Sequence, residues 1–163
     1  MKNIRRNVRS VPEEALDSWA RAIGKVLINF SAAEMGTFKW IGVLGGAKER
    51  DASFGKNMPT RLGTIEALVS ATKWTPQEKK ESIDAWTEIG EHARFRNRIA
   101  HNPVSPATSE SGQFVIGVID VKKMKGNGPH RMDFLSLDQL EESAMSIHRL
   151  VMLLEEILAR PRP

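Results

Sequence analysis

Apolar residues recur every three or four positions along most of this 163-residue chain, which is the period of an α-helix. The first such segment opens at Pro12 and can run on through Gly36 until Gly45 and Gly46 stop it. A second, shorter helix is predicted over residues 60–71, and the polar stretch at 48–59 indicates a loop. The spacing therefore predicts a mainly α fold.

The third helix has clear start and stop signals. Thr75 is a favourable N-cap, Pro76 suits the first helical position, and Glu78 follows in capping-box register. Pro103 disfavours a helical conformation for the residue before it, so the helix should end near His101.

The residues after that helix change character. Residues 104–112 read as a loop, whereas 114–121 are rich in valine and isoleucine and favour a strand. A turn at 126–129 lets 131–135 return as a second strand, and Ser136 then caps the last helix. We expect a four- to five-helix bundle with one β-hairpin, at about 113–136, inserted before the last helix. This single domain should cover residues 12–160.

The formal net charge of +4 is concentrated at the N-terminus. Residues 1–11 form a basic arm that carries no acid, and its cations are Lys2, Arg5, Arg6 and Arg9. Residues 11–163 are therefore formally neutral. The arm can contact phosphates as an electrostatic tether, or it can be a solvated terminus.

Several classes of protein are disfavoured. There are no cysteines, which removes disulfides and thiolate chemistry. No apolar run reaches the roughly 18 residues of a membrane span, and no apolar segment typical of a secretory signal follows the N-terminal cations. The four histidines lack metal-ligand spacing, and Gly42–Gly46 lacks the context of a phosphate loop. We expect a cytoplasmic protein without metal, cofactor or membrane contact.

The end of the third helix carries the most informative cluster. On a helical projection, one stripe should face the bundle, and it contains Trp86, Gly90, Ala93, Asn97 and Ala100. Asn97 is thereby predicted to be a buried polar residue that needs a hydrogen-bond partner.

Three arginines flank this stripe. Arg94 and Arg98 fall on the side of His101, whereas Arg96 lies about 140° from it. Arginine matches a phosphate with a planar fork, and histidine can exchange a proton near neutral pH. Together they can support metal-free RNA cleavage. The alternative is a helix end whose cations complement the helix dipole.

The run Arg96-Asn97-Arg98-Ile99-Ala100-His101 resembles the Arg-x(4–6)-His signature of HEPN domains. HEPN domains are bundles of four or five helices with this signature near the end of a late helix. The resemblance implies a metal-independent endoribonuclease that acts as a homodimer on RNA. It also implies a role as a toxin or phage-defence factor, with a possible antitoxin-like protein partner.

The resemblance also assigns residues. Arg96 would contact the phosphate, Asn97 would order the site, and His101 would be the catalytic base or acid. Arg94 also satisfies the spacing and remains an alternative to Arg96. Glu34, a carboxylate in an apolar stretch, is a candidate supporting residue if it pairs with an arginine, and otherwise it faces solvent. Further nucleic-acid contacts are expected from Arg98 and the basic arm.

Two other functions stay open. One is a non-catalytic module of the same fold that binds RNA, a nucleotide or a protein. The other is an accessory protein whose Arg/His pair only secures a helix end.

Overall fold

The computed structural model describes residues 12–102, 104–108, 114–119 and 132–161. Within them the order of elements is α1 (Glu13–Gly45), α2 (Ala47–Ser53), α3 (Met58–Ala71), α4 (Pro76–His101), β1 (Val104–Thr108), β2 (Phe114–Ile119), β3 (Met132–Leu135) and α5 (Leu137–Ala159). The predicted mainly α class, with a small antiparallel sheet before the last helix, is confirmed. In the described part of the chain, no helix has the length and apolarity needed to cross a membrane.

The first helix is longer than a typical one and ends where glycine allows it to. α1 continues through Gly36, and Gly46 follows it with φ of 87°, a conformation that side chains other than glycine rarely adopt. The loop predicted after it is partly wrong, because α2 forms there. The amide of Arg50 donates to the Gly46 carbonyl at 3.1 Å, so the turn at glycine starts this short helix.

The caps of the later helices form as the sequence indicates. At α4 the Thr75 amide donates to Glu78 Oε2 at 3.0 Å, and the Glu78 amide donates to Thr75 Oγ1 at 3.2 Å. Ser136 and Gln139 form the same reciprocal pair at α5. α3 begins two residues earlier than expected, because the Asn57 side chain accepts from the Thr60 amide at 3.0 Å.

The sheet has three antiparallel strands in the order β1-β2-β3. The loop predicted at 104–112 is wrong for its first half, since β1 pairs with β2 through partners such as Val104 and Val118. Pro106 lacks an amide donor, but β1 is at the edge of the sheet, where proline is tolerated. The turn between β2 and β3 lies outside the described residues.

The described residues form two compact units, 12–27 with those between 95 and 144, and 28–94 with 145–161. We call them unit 1 and unit 2. The core of unit 1 combines helical and strand residues: Trp19, Ala22, Val26, Ile99, Ile116, Val118, Leu135 and Leu140. Unit 2 is a helical bundle around Trp40, whose ring lies edge-on to those of Trp74 and Trp86 at 5.7 Å. That residues 12–160 form a single HEPN-like domain stays a prediction.

Side-chain bonds fix the helix order in unit 2. Ser146 bonds to Glu88 and Arg160 bonds to Glu81, so α5 runs antiparallel to α4. Lys39 forms an ion pair with Glu155, which places α1 beside α5.

Candidate functional site

The motif occupies the last turns of α4, where the helix gives way to the sheet. His101 is the final helical residue, and the Asn102 side-chain amide donates to the Arg98 carbonyl at 2.9 Å. This bond satisfies one of the carbonyls that a helix end leaves without an intrahelical partner. The motif residues 96–101 all belong to unit 1.

His101 presents its side chain to solvent. Among the described residues, no side-chain hydrogen bond or ion pair engages its imidazole. An imidazole in this position is accessible to a substrate, which is the first requirement for a proton-transfer group.

Arg96 is half-buried, and its guanidinium is held by its neighbour. Arg96 Nη1 donates to Asn97 Oδ1 at 2.9 Å, and Ile99, one turn further along, is buried at 6% exposure. The helical repeat places Arg96 about 140° from His101 around the continuous axis of α4. On this one helix, therefore, Arg96 lies toward the buried side and His101 lies on the exposed side.

Asn97 is exposed, so its prediction as a core-facing residue is wrong. Around the helix axis, the buried face of α4 is centred near Ile89, which is 0% exposed, and not near Trp86. Relative to Ile89, the helical repeat puts Asn97 about 80° away and Arg96 about 20° away. Ala100, on the same predicted stripe, is exposed as well, whereas Ile99 is buried, so the stripe does not continue as the buried face to the end of α4.

The other two arginines differ in exposure. Arg94 is exposed and belongs to unit 2, whereas Arg98 is half-buried and belongs to unit 1. The arm residues Lys2, Arg5, Arg6 and Arg9 lie outside the described residues.

Glu34 pairs with an arginine, but not with one from the motif. Arg61 Nη2 on α3 lies 3.3 Å from Glu34 Oε1, and the Arg61 guanidinium stacks over the Phe38 ring at 4.6 Å. The Arg61 side chain is 8% exposed, so Glu34 offsets a nearly buried positive charge. The structure thus gives Glu34 a partner in the α1–α3 packing of unit 2.

Sequence reasoning missed Arg61, although a signal for it exists. Met58, Arg61, Ile65 and Val69 are the buried positions of one α3 face at helical spacing. A charge on such a stripe indicates a buried cation that needs an acid, and Glu34 is the half-buried acid that supplies it.

A second polar cluster joins α4 and α5 in unit 2. Ser146 Oγ donates to Glu88 Oε1 at 2.8 Å, and the same oxygen lies 3.9 Å from His92 Nε2. Burial lowers the pKa of His92, while the nearby Glu88 and Glu91 act in the opposite direction. Across the described residues, no three acidic or histidine side chains gather as metal ligands would.

Comparison with protein-family models, with curated proteins and with solved structures gave no match. The HEPN resemblance therefore depends on the Arg96-to-His101 motif and on its position in the order of helices.

Proposed function

We propose that this protein is a metal-independent endoribonuclease of HEPN type. The observation that carries the proposal is the exposed imidazole of His101 at the end of α4, with Arg96 and Arg98 in the two preceding turns of the same helix. A proton-transfer group and phosphate-binding groups are the two components that RNA cleavage without metal requires.

The reaction follows from RNA chemistry. A base removes the proton of the ribose 2′-hydroxyl, the 2′-oxygen attacks the adjacent phosphorus, and the bond from phosphorus to the 5′-oxygen breaks. The leaving 5′-oxygen takes up a proton, and the product carries a 2′,3′-cyclic phosphate. His101 moves one of these protons, and Arg96 stabilises the charge that develops on the phosphate.

Asn97 has a specific role in this proposal. Its Oδ1 accepts from Arg96 Nη1 at 2.9 Å and so favours one orientation of the guanidinium. Holding a phosphate-binding group in place before the substrate arrives lowers the cost of orienting it during the reaction. This agrees with the ordering role that the resemblance assigns to Asn97.

The divergence of Arg96 and His101 around one helix points to a second participant. In the dimer that the resemblance implies, each copy supplies one Arg/His pair to a shared cleft, so the two groups acting on one phosphate need not come from one chain. Arg94 is the alternative phosphate contact.

The non-catalytic module is the second candidate. Arg96 is half-buried and lies about 140° around α4 from His101, so the two groups of one chain do not share a side of the helix, which favours binding without catalysis. In that case RNA would be retained without being cut. The toxin or defence role, the antitoxin-like partner and the cytoplasmic location stay predictions.

The test uses the full chain, mixed RNAs and EDTA. We expect cleavage by the wild type, and His101→Ala should slow it by about 100-fold or more. The control is His148→Ala, which removes another exposed histidine, on α5, and should leave the rate unchanged. Undiminished cleavage by folded His101→Ala protein would rule out the mechanism.

A companion experiment identifies which arginine contacts the phosphate. Arg96→Ala and Arg94→Ala are compared in the same assay, and the variant that loses the rate identifies the phosphate contact. Retention of RNA that falls with added salt, without any cleavage by the wild type, would favour the binding module.

A further inference from the structure

An exposed aromatic ring lies on the surface of unit 2, directly after α2. Phe54 is 57% exposed, although phenylalanine is a large apolar side chain. Its ring stacks on that of Phe38 from α1, with the ring centres 4.9 Å apart and the planes inclined by 29°. One face of the Phe54 ring is therefore covered, and the exposed part of the side chain leaves the other face open to a planar ligand.

The Phe54 ring is held in place before any ligand arrives. The Phe54 amide donates to the Asp51 carbonyl at 3.2 Å, and the Lys56 amide donates to the Ser53 carbonyl at 3.1 Å, so two hydrogen bonds close the turn after α2. The half-buried Phe38 belongs to α1, so its backbone is fixed as well. A ring that is already ordered loses little conformational entropy when a ligand stacks on it.

The segment that carries the ring is basic, whereas residues 11–163 as a whole are formally neutral. Residues 46–61 contain four cations and two acids, which are Lys48, Arg50, Lys56, Arg61, Glu49 and Asp51. Arg50 and Arg61 already have acidic partners. Lys56 is exposed, and within the described part of the chain no acidic side chain pairs with it. An available positive charge thus follows Phe54 by two residues.

We propose that the open face of Phe54 stacks an unpaired base of a single-stranded nucleic acid, with Lys56 contacting a phosphate beside that base. Every nucleobase has a flat π surface and is flanked by phosphates, so an exposed ring followed by a cation matches the repeating unit of a single strand. A protein partner is a poorer match, because one ring supplies only a small part of the roughly 800 Å² that each partner buries in a stable interface. Paired bases are not available to the ring, since they are stacked inside the duplex.

This inference does not depend on the nuclease proposal. Phe54 and Lys56 belong to unit 2, whereas the Arg96-to-His101 motif belongs to unit 1. The test measures binding of the full chain, by fluorescence anisotropy, to a DNA single strand of about 12 nucleotides. DNA has no 2′-hydroxyl, so the proposed cleavage reaction cannot cut this probe. The same sequence as RNA is presented to His101→Ala, and we expect similar affinity, because stacking does not require the 2′-hydroxyl.

The decisive variants change the ring. Phe54→Leu keeps an apolar cover over Phe38 but removes the flat ring, and it should weaken single-strand binding by about tenfold. Phe54→Tyr keeps a flat ring and should retain the affinity. Neither change should alter binding to a duplex of the same length. The control is Met152→Leu, on α5, which replaces an equally exposed apolar side chain and should bind as the wild type does.

Lys56→Ala tests the phosphate contact. Losing one contact should make the slope of log affinity against log salt shallower by about 0.7. Lys73→Ala removes another exposed lysine of unit 2 and should leave the slope unchanged. All these positions are exposed, so folding should be retained, and circular dichroism checks it.

Three results would overturn the proposal. They are a wild type that binds no single strand, a Phe54→Leu variant that binds it as tightly as the wild type, and a salt slope that Lys56→Ala leaves unchanged. RNA cleavage by a Phe54→Leu variant with undiminished binding would overturn this site and leave the nuclease proposal standing. Loss of single-strand binding in Phe54→Leu, without any RNA cleavage by the wild type, would support this site and contradict the nuclease proposal.

Discussion

Arg61 is the residue whose environment departs furthest from what its type suggests. Its guanidinium is almost fully buried, yet it is stabilised on two sides, by the Glu34 carboxylate and by the Phe38 ring. A buried cation of this kind depends on its partners, because water cannot solvate it. Its dependence on Glu34 can be measured.

Glu34→Ala should lower the free energy of unfolding by about 2 kcal/mol, because it leaves the Arg61 charge without its carboxylate. The same change in an Arg61→Met background should cost much less, since no charge remains to be offset. Denaturant unfolding of the four proteins gives the coupling energy. Strictly additive losses would show that the pair does not contribute.

His92 links the stability of unit 2 to pH. Burial lowers its pKa in the folded protein, whereas the unfolded chain should titrate near the ordinary value of about 6.5. As the pH falls through 6.5 toward the folded pKa, the unfolded state binds more protons, so the free energy of unfolding decreases.

Replacing His92 by glutamine removes this pH-dependent contribution to the free energy of unfolding. Between about pH 7.5 and about pH 5.5, the wild type should lose more stability than His92→Gln, measured by urea unfolding at both values. Carboxylates titrate in both proteins, so the comparison isolates the histidine. Equal losses in the two proteins would contradict the assignment.

At the scale of the elements, the ends of helices are set locally. The Thr75–Glu78 pair joins residues three apart, and the Ser136–Gln139 pair does the same. Such bonds need no distant partner, which is why the sequence predicts the starts of α4 and α5. β1 was missed for the opposite reason, since Ser105 and Pro106 favour turns and only pairing with β2 makes them a strand.

The cap of α4 should make a measurable contribution to the stability of the folded protein. Thr75→Ala should lower the free energy of unfolding by about 1 kcal/mol, because the Glu78 amide loses its Thr75 Oγ1 acceptor and the hydroxyl no longer donates to Glu78 Oε2. Thr87→Ala is the matched control, since Thr87 is exposed within the same helix and bonds only back to the Ile83 carbonyl. The control should be neutral or slightly stabilising, and equal effects of the two changes would contradict the cap.

At the scale of the whole molecule, the sequence predicted the class and the helix order, because both follow from apolar periodicity. The rotation of α4 about its axis, which decides which of its faces is buried, was not predictable to within one residue. A projection extends one face along the whole helix, whereas Ala93 is buried and Ala100, seven residues further on, is exposed. That error moved Asn97 into the core and hid the closeness of Arg96 to the buried face.

Deleting most of the basic arm tests whether it helps to bind RNA. Deleting residues 1–10 removes four positive charges and no acid. If the arm is a tether, RNA affinity should fall and its dependence on salt should become shallower, since fewer counterions are released on binding. Filter binding at several salt concentrations measures both. Unchanged affinity and slope would mean that the arm is only a solvated terminus.

The most direct test of the nuclease proposal is the chemistry of the cut ends. A DNA strand with a single internal ribonucleotide is incubated with the full chain in EDTA, and the products are weighed by mass spectrometry. We predict one cut, after the ribonucleotide, with a 2′,3′-cyclic phosphate on one product and a 5′-hydroxyl on the other. An intact strand, a cut in the deoxyribose portion, or a 3′-hydroxyl end would contradict the account.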